Sequence, residues 1–134
     1  MRDINEIIIH CSASNISSYD FSAIKVDHVK NRGWNDIGYH YGIDWDGDIH
    51  ILRSVKKIGA HVKGRNKHSI GICLLGLDNF KEVQLEQLAR LCESICMLLN
   101  LSQKAIRAHY EFTDLKTCPN FDIDWFKKHY IRNC

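Results

Sequence analysis

The sequence predicts an α/β fold: one mixed β-sheet of about five strands flanked by helices, in a single domain spanning residues 1–134. Three observations predict it. Short β-branched runs such as Ile7-Ile8-Ile9 and Ile70-Gly71-Ile72-Cys73-Leu74-Leu75 have the length and continuity of strands buried on both faces. Val83 to Asn100 repeats apolar side chains at helical spacing. These patterns follow one another as β, α, β, β, β, α, β, α, without a linker, an internal repeat or a low-complexity stretch between them. A chain of 134 residues is also long enough to bury a core without metal or disulfide staples.

Taken in order, Ile7-Ile8-Ile9 forms the first strand, and His10 sits where that strand leaves the core. Taken alone, a histidine beside an apolar strand reads first as a satisfied core side chain. Ser18 or Asp20 caps a helix running to about Lys30, with Phe21, Ile24, Val26 and Val29 as its apolar stripe and Gly33 as its stop. Tyr39 to Asp44 and Asp48 to Arg53 pair as an antiparallel hairpin, for which Asp46-Gly47 is a two-residue turn signal. Gly59 to His68 is a basic, aperiodic loop, equally readable as a functional segment or a solvated connector. Ser69 to Gly76 returns to the sheet as a buried strand. The long helix follows, with Val83, Leu85, Leu88, Leu91, Cys92, Ile95, Leu98 and Leu99 on its core side. Ala105 to Ala108 is a short strand ending at His109, and Asp122 or Asp124 caps a last helix from Trp125 to about Ile131.

Composition narrows the function classes. Hydrophobic residues make up 45% and charged residues 25%, with a formal net charge of +2 and no dense Lys/Arg run. A nucleic-acid partner is therefore not expected. No stretch approaches the ~20 apolar residues of a membrane span, so no membrane insertion is expected either. The six cysteines tempt one towards a disulfide framework, but Met1 to Glu6 leads straight into the first strand without a secretory leader. Four of the six sit in apolar segments, and reduced thiols made in the cytosol are the expectation.

The chemistry is concentrated in Ala108-His109-Tyr110-Glu111-Phe112-Thr113-Asp114-Leu115-Lys116-Thr117-Cys118-Pro119-Asn120. Imidazole nitrogen and thiolate sulfur are favoured zinc ligands, and a catalytic zinc site takes three protein ligands and leaves a fourth position open. His109 and Cys118 supply two ligands from one loop, Lys116 projects an ammonium beside them, and His10, at the end of another buried strand, is the third candidate. Eight histidines leave other combinations open on spacing alone.

Several motifs occur in register: His10-Cys11-Ser12-Ala13, Gly33-Trp34-Asn35-Asp36-Ile37-Gly38-Tyr39-His40, Gly59-Ala60-His61-Val62-Lys63-Gly64, Asn66-Lys67-His68-Ser69-Ile70-Gly71-Ile72, and His109 through Lys116-Thr117-Cys118-Pro119. Together, from about Ile7 to Trp125, the chain resembles the zinc-dependent N-acetylmuramoyl-L-alanine amidases of the peptidoglycan-recognition-protein fold, and within them the phage lysozyme-type amidases. The resemblance implies His10, His109 and Cys118 as zinc ligands. It also implies Tyr39 and Lys116 as catalytic side chains, with the Tyr39 phenol acidified by the metal, and His61 with the following Lys63, Arg65 and Asn66 as the wall of a substrate groove. The implied reaction is hydrolysis of the amide joining N-acetylmuramic acid to L-alanine in peptidoglycan, by a monomeric endolysin-like enzyme. Such an enzyme is made without a signal peptide and acts on the periplasmic wall after release or delivery. Three other roles belong to the same fold: peptidoglycan binding without cleavage, for which relatives typically lack the cysteine; restraint of a phage RNA polymerase or pairing with an immunity protein; and hydrolysis of a different amide.

Overall fold

The structure, a computed structural model, describes residues 2–134. Strand β1 (Glu6–Cys11) lies between β4 (Ser69–Leu74) and β5 (Ile106–Ala108), parallel to both. Ile7 stands opposite Ile70 and Ile106, and Ile9 opposite Ile72 and Ala108. Beyond β4 come β2 (Tyr41–Ile43), parallel to it, and then β3 (Ile49–Ile51), antiparallel to β2. The resulting order is β3-β2-β4-β1-β5, a mixed five-stranded sheet.

Side chains alternate across the pleat, and the two faces receive different partners. Ile7, Ile9, Ile70, Ile72 and Leu74 pack with Leu85, Leu88, Ala89, Cys92 and Ile95 of α2 (Glu82–Leu99) and with Ile123 and Phe126 of α3 (Ile123–Tyr130). Cys73 and Leu75 join a smaller cluster with Ile37 and with Phe21 and Ile24 of α1 (Phe21–Val26). The same alternation turns His10 of β1 and Gly71 of β4 away from α2 and α3.

The elements follow the predicted order, with local differences. Asp20 caps α1, its Oδ1 accepting from the Ala23 N–H at 3.0 Å. The helical path then widens into a π-helical turn over Asp27–Asn31, where the Arg32 N–H reaches back to the Asp27 carbonyl at 3.1 Å. Side chains four apart share a helical face and side chains two apart do not, so His28 follows Ile24 inward and Val26 does not. His28 is buried, whereas Val26, assigned from sequence to the apolar stripe, is 48% exposed. The hairpin has three connecting residues rather than two. The Asp44 N–H donates to the Asp48 carbonyl, Ile43 pairs with Ile49, and Gly47 takes φ +87°. Asp44 Oδ1 accepts from the N–H groups of Asp46 and Asp48, so a side chain shapes the turn. In α2, Val83 and Leu98 face outward, while Cys96, Gln84 and Glu93 are buried. Asn100, at φ +56°, ends that helix in the left-handed conformation. α3 begins two residues before Trp125 because Asp122 Oδ1 accepts from both the Asp124 and Trp125 N–H groups. All six cysteines are free thiols. No helix among the described residues is long and apolar enough to cross a membrane.

Candidate active site

His10 is the fifth residue of β1 and is 1% exposed. Because Ile9 is level with Ala108, the next residue on each strand comes level too, and the His10 and His109 rings meet with centroids 4.5 Å apart. His109 opens a 3₁₀ turn (His109–Glu111), anchored where the Ala108 N–H donates to Glu111 Oε2 at 2.7 Å. The loop then folds back on itself, the Tyr110 N–H donating to the Cys118 carbonyl at 3.1 Å. That return places Cys118 Sγ 3.1 Å from His109 Nδ1, which is in turn 3.1 Å from His10 Nδ1.

The three ligand atoms all lie within 4.8 Å of one another. A tetrahedral zinc with ordinary Zn–N and Zn–S bonds separates two nitrogens by about 3.3 Å and a nitrogen from a sulfur by about 3.6 Å. The His10–His109 and His109–Cys118 spacings are within about half an ångström of that, and with all three atoms inside 4.8 Å the donor set fits the ion. Protonation agrees. Hydrogen bonds from Cys11 above all, then from His10 and His109, hold the Cys118 thiol far below its ordinary range despite its burial. Cys118 is therefore a thiolate, with Cys11 the protonated partner pushed up by that same bond and by burial. Burial lowers His10, which keeps it a neutral imidazole.

A cleft of about 360 Å³ opens over this group, lined among others by Tyr19, His28, Trp34, Tyr39, His61 and Lys116. The Tyr39 ring lies 5.1 Å from that of His10. Burial first, and then the thiols of Cys73, Cys118 and Cys11, push its phenol well above the usual value. The chain's own groups therefore favour the protonated phenol. Lys116 is exposed on the rim.

The four groove-wall residues separate. His61 lines the cleft. Lys63 is exposed on its loop, and Arg65 turns away to pair with Glu6 at 2.8 Å and to lie over the Phe112 ring. Arg65 belongs instead to a separate cavity of about 550 Å³ with Lys67, His68, Lys104 and Arg107. Asn66 faces its own loop, its Oδ1 accepting from the His61 and Val62 N–H groups at 2.9 and 2.8 Å.

Sequence reasoning missed the wall opposite His61. His28 Nδ1 accepts from the buried Gly38 N–H at 2.9 Å, and its ring packs 4.6 Å from Trp34. Arg32 lies over the same indole and pairs with Asp27. The signal available was the spacing: His28 follows Phe21 by seven residues and Ile24 by four, on the face that those two side chains bury.

Comparison with known proteins agrees with this geometry. Residues 1–121 match the family model described as N-acetylmuramoyl-L-alanine amidase. The endolysin of Escherichia phage T7 is 36% identical over 93% of this chain and 87% of its own length. The endolysin of Klebsiella phage KP32 is 32% identical over 97% and 90%. Among solved structures, an N-acetylmuramoyl-L-alanine amidase from Clostridium intestinale superposes with a TM-score of 0.84 at 28% identity, covering 95% of this chain and 85% of that one. Wild-type Drosophila PGRP-LB superposes at 0.81 with 25% identity, over 100% and 85%. With a family model spanning most of its length, and endolysins matching it nearly end to end, the chain belongs to the N-acetylmuramoyl-L-alanine amidase family.

Proposed function

We infer that this chain hydrolyses the amide bond between N-acetylmuramic acid and L-alanine in peptidoglycan, with His10, His109 and Cys118 as the ligands of a zinc ion and Tyr39 and Lys116 as its catalytic side chains. The observation that carries the reading is the meeting of two imidazole Nδ1 atoms and a thiolate at the floor of a cleft that also contains a phenol and an ammonium. When bound, zinc supplies Lewis acidity and a water that ionises near neutral pH.

The chain's own groups divide the remaining work. Cys118 and the two histidines bind in their unprotonated forms, to which the site already biases Cys118 and His10. Lys116, free to swing at the rim, places its positive charge on the carbonyl oxygen as that oxygen becomes an anion. Tyr39, a half-buried neutral phenol beside His10, has a proton to give at the departing alanine nitrogen. His28 and Trp34 make an aromatic wall against which a muropeptide can lie. The enzyme's working place is the bacterial wall, reached by release or delivery from the cytoplasm that makes it.

The test is zinc content and murein cleavage measured together, on wild type and on Cys118→Ser, following newly exposed amino groups of L-alanine. About one zinc per chain with cleavage, both lost or much weakened in the variant, is the expected result. Cleavage by a metal-free protein would overturn the ligand assignment, and zinc without murein cleavage would move the activity to another amide.

A further inference from the structure

A histidine that binds metal through one ring nitrogen is fixed in place by what its other nitrogen touches. In His10 the nitrogen turned towards His109 and Cys118 is Nδ1. Its Nε2 lies 2.8 Å from His61 Nδ1, and His61 Nε2 lies 3.1 Å from the hydroxyl of Ser69, which is fully buried. We propose that His61 and Ser69 form an outer-shell relay that sets the tautomer and ring orientation of His10, making His61 a positioning residue for the metal centre rather than only a wall of the cleft. The inference rests on the zinc-site reading above.

The proton count makes the relay directional. For His10 Nδ1 to offer a lone pair, the His10 proton must sit on Nε2, where it donates to His61 Nδ1. His61 must then carry its own proton on Nε2, donating to Ser69 Oγ. The opposite register, with Ser69 donating to His61 and His61 to His10, leaves the His10 proton on Nδ1, where it blocks ligation. The direction of the Ser69 hydroxyl is thus tied to the tautomer of a ring two hydrogen bonds away.

The fold holds His61 in this position by three independent means. Asn66 Oδ1 pins the backbone N–H groups of His61 and Val62. Gly71 leaves room for the ring, since a Cβ there would come within 2.6 Å of His61 Cγ. A Cβ at Gly59 would likewise come within 2.8 Å of His61 Cδ2. The His61 ring meets His10 edge-on at 82°, so its Nδ1 rather than its face is presented to His10.

The experiment uses the full chain as wild type, His61→Leu, His61→Asn and Ser69→Ala. Zinc affinity is read by competition with a chromophoric chelator, the visible spectrum of the cobalt(II)-loaded protein reports ligand geometry, and melting in excess chelator checks the fold. His61→Leu should bind zinc about 10- to 100-fold more weakly and shift the cobalt bands. His61→Asn, whose amide oxygen accepts where Nδ1 did, should recover most of the loss, and Ser69→Ala should fall between. Wild-type affinity in His61→Leu would overturn the relay alone, as would His61→Asn binding no better than His61→Leu. A wild type that binds no zinc would overturn the metal centre and the relay together. If His61→Leu does not fold, Ser69→Ala decides, and unchanged affinity there would overturn the relay.

Discussion

Tyr39 and Lys116 reach one cleft from opposite surroundings, one packed against His10 and the other exposed on the rim, and substitution should separate their roles from those of the ligands. Tyr39→Phe and Lys116→Met should each lower kcat by about 10²- to 10³-fold with zinc stoichiometry unchanged, because each removes one proton-handling or charge-stabilising group without touching a ligand. Steady-state kinetics on purified murein with parallel metal analysis checks this, and zinc lost from either variant would make that residue structural. At this scale the sequence pointed to the three candidate ligands, which the fold brings together, more clearly than to the residues lining the groove. His10 follows Ile9 in β1 and His109 follows Ala108 at the end of β5, so the Ile9–Ala108 register brings them side by side. Arg65 and Asn66 share the His61 loop, but that loop doubles back, sending Arg65 to Glu6 and Asn66 onto its own backbone, and no spacing rule encodes such a reversal. His28 follows Ile24 by four residues and so shares its buried face, yet a histidine on an apolar helix face does not by itself mark a cleft.

At the scale of elements, strand pairing was legible because period-two and period-3.6 patterns survive in short segments, whereas turn types depended on side chains such as Asp44 that act across several residues. The contact between α1 and β2 rests on a missing side chain. A Cβ at Gly42 would lie 2.2 Å from Phe21 Cζ, so the helix sits directly on the strand backbone. Gly42→Ala should destabilise the fold by about 1–3 kcal/mol through overpacking. Urea unfolding should show a lower midpoint at unchanged slope. A midpoint equal to wild type would mean that Phe21 moves aside without strain. The variant should also raise KM more than it lowers kcat, because α1 leads directly into the turn that presents His28 to the cleft.

For the molecule as a whole, buried neutral histidines couple stability to pH. His40 is fully buried, its Nδ1 accepting from the Gly71 N–H at 3.0 Å, which leaves Nε2–H to donate to the Lys57 carbonyl at 2.8 Å. Burial, with the nearby charges of Arg2 and Arg53, lowers it to about 4. Above pH ~6.5 neither the folded nor the unfolded chain protonates this group, so it leaves stability unchanged. As pH falls from 6.5 towards 4 the unfolded chain takes up a proton that the folded chain refuses, and stability drops by about 3 kcal/mol at His40 alone. Urea titrations between pH 7.5 and 4.5, with metal chelated, should show that decline, and His40→Asn should flatten it; equal slopes in the two proteins would contradict the assignment. The spacing of the ligands along the chain has a consequence of another kind. His10 lies on the first strand, whereas His109 and Cys118 follow the last, so the site is assembled only by pairing β1 with β5 across nearly the full length of the polypeptide. A nascent chain still emerging from the ribosome, or a fragment cut anywhere between those strands, holds no more than part of the ligand set. The proposed metal site, and any cleavage that depends on it, therefore forms only once β1 and β5 have both been made and paired.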